Sequence, residues 1–172
     1  MVIWLIGLSG SGKSTLGTEL SKQLRICEPN TVLLDGDDLR NVFAHNQGDE
    51  PFTIRGRKIN AERITALCEL LDHQGINVVC CILSIFPEMR LENKQRFSRY
   101  FEIFMDAPME VLKKRDVKGL YAAAQKGEMK NVVGVDIPFA RPTTSDMVVD
   151  SSSENPDIQS LVKMILERVG SI

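Results

Sequence analysis

The fold of this chain is decided by Gly7-Leu8-Ser9-Gly10-Ser11-Gly12-Lys13-Ser14, a stretch that reads G-x-x-x-x-G-K-S. An apolar run, Val2–Ile6, comes directly before it, and a helix-like segment, Thr15 to Leu24, comes directly after it. Strand, glycine-rich loop and helix in this order are typical of a phosphate-binding P-loop. The glycines let successive backbone N–H groups turn inward around a polyphosphate, and the helix N-terminus adds a partial positive charge. The stretch therefore predicts that the protein binds a nucleoside triphosphate.

The residue types inside the loop indicate how ATP and Mg²⁺, the two predicted cofactors, would be held. We expect Lys13 to reach the β- and γ-phosphates and the Ser14 hydroxyl to ligate the metal. The remaining residues expected to contact ATP are Gly7, Ser9, Gly10, Ser11, Gly12 and Thr15.

Length and composition favour a single domain over residues 1–172, with 43% hydrophobic residues, 26% charged residues and a net charge of −2. This charge gives no reason to expect a nucleic acid or a membrane as partner. No signal peptide or membrane-spanning run is evident, so a cytoplasmic protein is expected. Cys27, Cys68, Cys80 and Cys81 lack metal-ligand spacing and are expected to be buried, reduced thiols, with the adjacent pair on opposite faces of a strand.

Apolar runs alternate with helical segments along the chain, which predicts an α/β fold. The strands are predicted at 2–6, 31–34, 76–83, 101–105 and 147–149, and the helices at 13–25, 57–74, 88–98, 109–114 and 157–168. The runs are apolar on successive residues, as in a parallel sheet covered on both faces. We therefore expect a doubly wound, mostly parallel five-stranded sheet with helices on both faces and ligands at the carboxyl ends of the strands. Asn155-Pro156 is expected to cap the last helix.

The segment 117–144 interrupts the alternation. It contains several glycines and prolines among many charged residues. A connection of this length is usually functional, so the segment is predicted to be a lid over the site. Disorder without function is the alternative.

Two carboxylates, Asp35 and Asp37, flank a glycine at the end of the second predicted strand. Because the carboxyl ends of parallel strands meet at one edge, this pair is expected beside the P-loop. A carboxylate there can hold Mg²⁺ or accept a proton from an attacking hydroxyl. A solvated Asp-Gly turn is the alternative interpretation.

With these motifs in place, the chain resembles the adenylylsulfate (APS) kinase family of P-loop kinases. The resemblance covers Val2 to about Pro142 and implies phosphorylation of a ribose 3′-hydroxyl on a nucleotide by ATP and Mg²⁺, in a homodimer. It rests on G-L-S-G-S-G-K-S-T from Gly7, L-D-G-D-D-L-R from Leu34, Asp106-Ala107-Pro108, K-R-D-V-K-G-L-Y from Lys114, Gly134-Val135-Asp136 and Pro138-Phe139.

The resemblance also implies roles for individual residues. By this resemblance, Asp37 is the acidic residue beside the substrate hydroxyl, and it ligates the metal together with Ser14. Asp35 is the catalytic partner of Asp37, beside Lys13. Arg115 and Lys118 lie near ATP. The substrate is contacted by Asp37, Arg40, Phe52, Arg57, Asn60, Ser84, Ile85, Lys118, Leu120 and Val132. Arginine forks suit an anionic diphosphate-like group, and Phe52 offers a stacking face. Alternatively, Arg57 and Arg63 lie on a solvated helix face and Phe52 anchors a loop in the core.

The chain departs from the family pattern on the substrate side. Gly56 replaces an acidic residue, Glu62 replaces an arginine, Val132 replaces the second aromatic of a base sandwich, and Ile85 replaces the proline after Ser84. Loss of one stacking partner costs on the order of 1–3 kcal/mol. The acceptor is therefore expected to be adenylylsulfate, as in sulfate assimilation, or, given the altered pocket, cytidine diphosphoramidate for capsule phosphoramidate synthesis. A regulatory or degenerate nucleotide-binding protein without acceptor kinase activity is the alternative.

Overall fold

A computed structural model describes residues 1–116, 118–153 and 155–170, and strands and helices alternate along them. The strands are β1 (Val2–Ile6), β2 (Thr31–Asp35), β3 (Asn77–Ile82), β4 (Tyr100–Asp106) and β5 (Met147–Asp150). The helices are α1 (Lys13–Cys27), α2 (Gly36–Val42), α3 (Ile54–His73), α4 (Pro87–Arg96), α5 (Met109–Arg115), α6 (Leu120–Gln125) and α7 (Ile158–Arg168), with a 3₁₀ turn at Glu50–Phe52.

The five strands form one parallel sheet in the order β2-β3-β1-β4-β5. Ile3 and Leu5 pack against α1 and α7 on one face, and Trp4 and Ile6 pack against α3 on the other. Ile6 pairs with Ile82 of β3 and Phe104 of β4, so β1 and β3 end at the same level beside the P-loop, and β4 continues to Asp106. The predicted fold class is confirmed.

Four local features differ from the predictions. Helices α2 and α6 were not predicted, because seven and six residues are too short to establish a helical period. Helix α3 begins before residue 57, since the Thr53 side chain accepts a hydrogen bond from the Gly56 N–H and caps it. Helix α7 is capped by the Asp157 carboxylate, which accepts from the Ser160 N–H, so the prediction of Asn155 as cap is wrong.

Burial differs from the prediction most clearly at two positions, where an apolar strand residue and a cysteine are exposed. Val148 in β5 is 56% exposed because β5 is an edge strand with one open face. Cys27 is exposed at the end of α1, whereas Cys68, Cys80 and Cys81 are buried. Cys80 and Cys81 lie in the cores on opposite faces of the sheet, as predicted.

The segment predicted as a lid contains α6 and a tight turn at residues 131–137, with Val117 outside the described residues. The turn is closed by backbone hydrogen bonds, including Gly134 N–H to the Ile137 carbonyl at 2.8 Å. The chain then passes along β4, where the Phe139 ring packs 6.1 Å from that of Phe104. None of the described helices has the length and apolar character needed to cross a membrane.

Candidate active site

The P-loop follows β1 and is held in shape from outside. A side chain at Gly7 would place its Cβ 2.6 Å from the Met105 carbonyl oxygen, so glycine lets the loop leave β1 against β4. Three carbonyl oxygens of the loop accept hydrogen bonds from side chains outside it. The Ser9 carbonyl accepts from the Tyr121 hydroxyl at 2.9 Å, and the Gly10 carbonyl accepts from Arg115 at 3.3 Å. The Ser11 carbonyl accepts from the Ser151 hydroxyl at 2.5 Å. These contacts hold three carbonyls away from the loop interior, which suits a loop whose N–H groups face an anion.

Lys13 places its ammonium at the mouth of this loop. Its Nζ donates to the Leu8 carbonyl oxygen at 2.8 Å and lies 3.4 Å from the Ser11 hydroxyl. Burial lowers the pKa of Lys13 to about 8, although the Asp35 and Asp37 carboxylates act in the opposite direction. A buried ammonium beside neutral acceptors is suited to the charge of a bound polyphosphate.

Ser14, at the start of α1, is joined to the end of β2. Its Oγ donates to Asp35 Oδ2 at 2.6 Å, and Asp35 Oδ1 accepts from the Asp37 N–H at 2.9 Å as the cap of α2. The structure therefore brings Asp35, and not the predicted ligand Asp37, to the Ser14 hydroxyl. Thr15, the next residue of α1, is exposed.

A hydroxyl and a carboxylate oxygen fit the preference of Mg²⁺ for hard oxygen ligands. In residues 1–116, 118–153 and 155–170, no group of three or more His, Cys, Asp or Glu side chains could hold a metal. Ser14 and Asp35 would thus bind the ion together with phosphate oxygens and water.

Asp37 and Lys118 form an ion pair between the first turn of α2 and the lid segment. Asp37 is 67% exposed, so its carboxylate is accessible to a second substrate. Arg115, the other basic residue predicted near ATP, donates to the Gly10 carbonyl of the P-loop at 3.3 Å and to the Ser153 carbonyl at 2.6 Å.

Two arginines converge on Phe52 and the 3₁₀ turn. Arg40 donates to the Pro51 carbonyl at 3.2 Å, and Arg57 donates to the Phe52 carbonyl at 2.8 Å. The guanidinium carbons of Arg40 and Arg57 lie 5.1 Å and 5.9 Å from the centroid of the Phe52 ring. Burial, followed by the charge of Arg40, lowers the pKa of Arg57 to about 10. Two like charges in a half-buried site favour an anionic ligand. Arg57 is therefore not on a solvated face, whereas Arg63 is exposed.

Arg57 also connects this site to the lid turn. Its guanidinium donates to the Asn131 carbonyl at 2.8 Å. Asn131 has a left-handed backbone (φ 62°), and the Asp136 carboxylate accepts from the N–H groups of Asn131 and Val132. Burial raises the pKa of Asp136, but these hydrogen bonds outweigh it and hold the pKa below its usual value.

Three further predicted residues line the same end of the sheet. Asn60 in α3 is 5% exposed, and its Oδ1 has no hydrogen-bond partner among the described residues. Ser84, after β3, has a left-handed backbone (φ 52°), a strained conformation that is frequent at functional positions. Ile85 beside it is half-buried.

Two predicted contacts on the lid differ from expectation. Val132 is 1% exposed and packs with Leu112 and Tyr121, so its side chain presents no wall to a base in this conformation. Leu120 packs against the same cluster at the start of α6.

Two of the departures from the family pattern receive structural explanations. Gly56 approaches the 3₁₀ turn so closely that a Cβ there would lie 2.2 Å from the Glu50 carbonyl oxygen. Glu62 faces α4 instead of the arginines and lines a separate groove with Lys58 and Glu88. Glu62 therefore does not oppose the two arginines, and the charges that act on Arg57 are those of Arg40 and Asp136.

Several functional contacts were missed from the sequence. Tyr121 and Asp136 lie in quoted motifs, but nothing in the spacing indicates that they bond the P-loop and cap the lid turn. The ion pair between Asp106 and Arg141 joins the end of β4 to the chain leaving the lid. No sequence signal predicts that pair, because the two residues are 35 positions apart and Arg141 lies in none of the quoted motifs.

Comparison with known proteins places this geometry in a family. The adenylylsulphate kinase family model matches residues 1–150. A cytidine diphosphoramidate kinase from Campylobacter jejuni is 36% identical over 168 residues, covering 98% of this chain and 95% of that one. An adenylyl-sulfate kinase from Clostridium kluyveri is 36% identical over 168 residues, with 97% and 82% coverage.

Among solved structures, the APS kinase CysC of Mycobacterium tuberculosis in complex with AMPPNP and APS superposes with a TM-score of 0.85. It is 29% identical and covers 98% of this chain and 96% of its own. The phosphate-binding loop, the parallel sheet and the family match agree, and the chain therefore belongs to the adenylylsulfate kinase family of ATP-dependent kinases, which phosphorylate a hydroxyl group.

Proposed function

We propose that the protein transfers the γ-phosphoryl group of ATP to the ribose 3′-hydroxyl of a nucleotide that carries an anionic anhydride group. The observation that carries this proposal is the position of Asp37. The Asp37 backbone N–H donates a hydrogen bond to the Asp35 carboxylate, and that carboxylate also accepts from the Ser14 hydroxyl of the P-loop. Its exposed carboxylate forms an ion pair with Lys118, and its negative charge favours the protonated form of Arg40. A carboxylate between the P-loop and the two arginines is suited to accept the proton of an acceptor hydroxyl.

In this mechanism, each residue acts on a defined part of the two substrates. Asp37 orients the 3′-hydroxyl and accepts its proton, while the Lys13 ammonium neutralises charge that develops on the transferred group. Arg40 and Arg57 hold the anionic group of the acceptor. Mg²⁺, when bound by Ser14 and Asp35, supplies further charge neutralisation at the phosphate oxygens. Lid residues 118–144 exclude water when both substrates are bound, which limits ATP hydrolysis.

The names of the relatives offer two acceptors, adenylylsulfate and cytidine diphosphoramidate. We favour the second, which would assign the enzyme to capsule phosphoramidate synthesis instead of sulfate assimilation. Val132 supports this choice because its buried side chain provides no second stacking surface, and a pyrimidine depends less on stacking area than a purine.

The test is an acceptor panel with purified protein, ATP and Mg²⁺. The acceptors are adenylylsulfate, cytidine diphosphoramidate and the plain nucleoside diphosphates, and the products are identified as 3′-phosphorylated nucleotides. We expect acceptor-dependent ATP consumption that is lost in Lys13→Ala. ATP hydrolysis unaffected by every acceptor would instead favour a regulatory or degenerate nucleotide-binding protein.

We also propose a homodimer, as the family resemblance implies. Light scattering coupled to size-exclusion chromatography should give twice the mass of the 172-residue chain. A monomer at all protein concentrations would contradict this assembly without affecting the proposed reaction.

A further inference from the structure

The Arg57 guanidinium is held from two sides by backbone carbonyls. Its Nε donates to the Phe52 carbonyl of the 3₁₀ turn at 2.8 Å, and its Nη2 donates to the Asn131 carbonyl of the lid turn at 2.8 Å. Among the described residues, its Nη1 has no hydrogen-bond partner. Because the guanidinium is planar, two bonds of this kind fix its orientation and leave Nη1 available to a ligand.

The direction of the Asn131 carbonyl depends on the Asp136 carboxylate. Asn131 has a left-handed backbone (φ 62°), which asparagine adopts more readily than most residues but still at a cost in energy. One oxygen of Asp136 accepts from the Asn131 N–H, and the other accepts from the Val132 N–H. These two bonds hold the backbone of Asn131 in place, so Asp136 determines where its carbonyl points.

Asp136 itself is carried by a well-supported turn. The backbone N–H groups of Asp136 and Ile137 both donate to the Val132 carbonyl at 3.1 Å. The Val132 side chain is buried with Leu112 of α5 and Tyr121 of α6. The carboxylate is therefore fixed relative to two helices of the domain, and it can transmit that position to Asn131.

The charges around Arg57 are consistent with a guanidinium that is kept ready for an anion. The charge of Arg40 lowers the pKa of Arg57, whereas the charge of Asp136 acts in the opposite direction. In the described part of the chain, the two oxygens of Asp136 bond backbone N–H groups and form no ion pair with Arg57. Asp136 thus favours the charge of Arg57 without occupying the donors that an anionic ligand needs.

We propose that Asp136 is a positioning residue for the acceptor, because it orients the Arg57 guanidinium through the Asn131 carbonyl. The inference rests on the proposed function, in which Arg57 holds the anionic anhydride group. A long arginine side chain loses rotational freedom when it binds a ligand, and ordering it beforehand removes this cost from binding. The effect is the same before and during phosphoryl transfer, so it belongs in KM and not in kcat.

Asp136→Asn is the first test, with the best acceptor of the panel. The amide keeps the size of the side chain but has a single oxygen, which cannot accept from both N–H groups in the observed way. We expect KM for the acceptor to rise about threefold to tenfold, the effect of ordering one long side chain on binding. The kcat and the Kd for ATP should stay within about twofold. Glu128→Gln, an exposed carboxylate of the lid segment, is the matched control and should leave all three constants unchanged.

Two substitutions of Asn131 test the carbonyl that connects Asp136 to Arg57. Asn131→Gly retains the carbonyl and adopts the left-handed backbone without strain, so KM for the acceptor should stay close to that of the wild type. Asn131→Val disfavours that backbone, because its side chain is β-branched, and should raise KM as Asp136→Asn does. A wild-type KM in Asn131→Val overturns the inference. If Asp136→Asn fails to fold, as judged by its melting temperature, this pair decides alone.

A double-mutant cycle with Arg57→Ala distinguishes positioning from a structural role. In the Arg57→Ala background, Asp136→Asn should raise the acceptor KM no further, since the guanidinium that it orients is absent. A structural role for Asp136 would raise KM by the same factor in both backgrounds or lower kcat, and either result overturns the inference alone. Wild-type protein that phosphorylates no acceptor of the panel overturns the proposed function, and the inference with it.

Discussion

Asp37 has its position set by its neighbours along the chain and across the site. Its N–H is bonded to Asp35 and its carboxylate pairs with Lys118, so replacing it with asparagine keeps the size and removes the base. We expect Asp37→Asn to lower kcat by about a hundredfold or more, the contribution of a general base. The measurement is steady-state phosphorylation with the best acceptor of the panel. Asp38→Asn, an exposed neighbour in α2, is the matched control, and near-normal turnover by Asp37→Asn would remove this residue from the mechanism.

Lys13 gives ATP binding a pH dependence with a defined sign. Burial lowers the pKa of the ammonium to about 8 in the free protein, and bound phosphates favour its protonated form. Lys13 is therefore charged below pH 8 and loses its proton above it. Because a terminal phosphate with a pKa of about 6 stays ionised throughout, the affinity for ATP should fall above pH 8 by up to about tenfold per unit.

Calorimetric titrations of ATP between pH 6.5 and 9.5 measure this effect. The Lys13→Ala variant, which lacks the titrating group, should bind weakly with little change over that range. A wild-type affinity that stays constant up to pH 9.5 would contradict the role of the Lys13 charge.

At this scale, the sequence could predict which residues lie together at the candidate site better than it could predict what each of them contacts. The P-loop and the Asp35–Asp37 pair follow from residue type and spacing, because the backbone of a P-loop requires glycines at fixed positions. Val132 and Glu62 could not be placed from the sequence. Val132 packs against Leu112, and Glu62 lies on the face of α3 that is turned toward α4. Both placements depend on how separate elements meet in the fold.

Among the elements, the contact between α3 and the 3₁₀ turn decides where Phe52 and both arginines lie. Gly56 leaves no room for a side chain, with the Glu50 carbonyl oxygen 2.2 Å and the Pro51 Cα 2.7 Å from its ideal Cβ position. Gly56→Ala should therefore displace the turn and the groups bonded to it. We expect KM for the acceptor to rise about tenfold or more, since a misplacement of about 1 Å can cost a hundredfold in rate.

The Kd for ATP separates this effect from general damage. It should stay within about twofold in Gly56→Ala, because the P-loop is held by Tyr121, Arg115 and Ser151 instead of by the turn. Lys58→Ala, an exposed position on the same helix, should alter neither constant. An unchanged acceptor KM in Gly56→Ala would mean that the turn does not position the arginines.

The elements themselves were largely predictable because strands buried on both faces are continuously apolar and long helices have a clear period. Helices α2 and α6 were not predictable, since a short helix depends on its caps and contacts more than on its hydrophobic period. In α2, the cap is Asp35, a residue that also contacts Ser14. One carboxylate thus ends β2, begins α2 and reaches the P-loop.

For the whole molecule, the P-loop is the point where distant parts of the chain meet. Arg115 reaches it from the end of α5, Tyr121 from α6, Ser151 from the end of β5, and Asp35 from the end of β2. A ligand that binds there stabilises the folded chain, because the unfolded chain has no such site. ATP with Mg²⁺ at about a hundred times its Kd should add about 2.7 kcal/mol to the free energy of unfolding.

That gain corresponds to a rise in Tm of roughly 5–10 °C for a chain of this size. Thermal unfolding followed by fluorescence measures it, with and without ATP, Mg²⁺ and EDTA. EDTA should remove part of the shift, since in the proposed function Ser14 and Asp35 would hold the Mg²⁺ that accompanies the phosphates. Lys13→Ala should remove most of it, whereas Arg63→Ala should keep it. A shift of full size in Lys13→Ala would mean that ATP stabilises the chain from a site other than the P-loop.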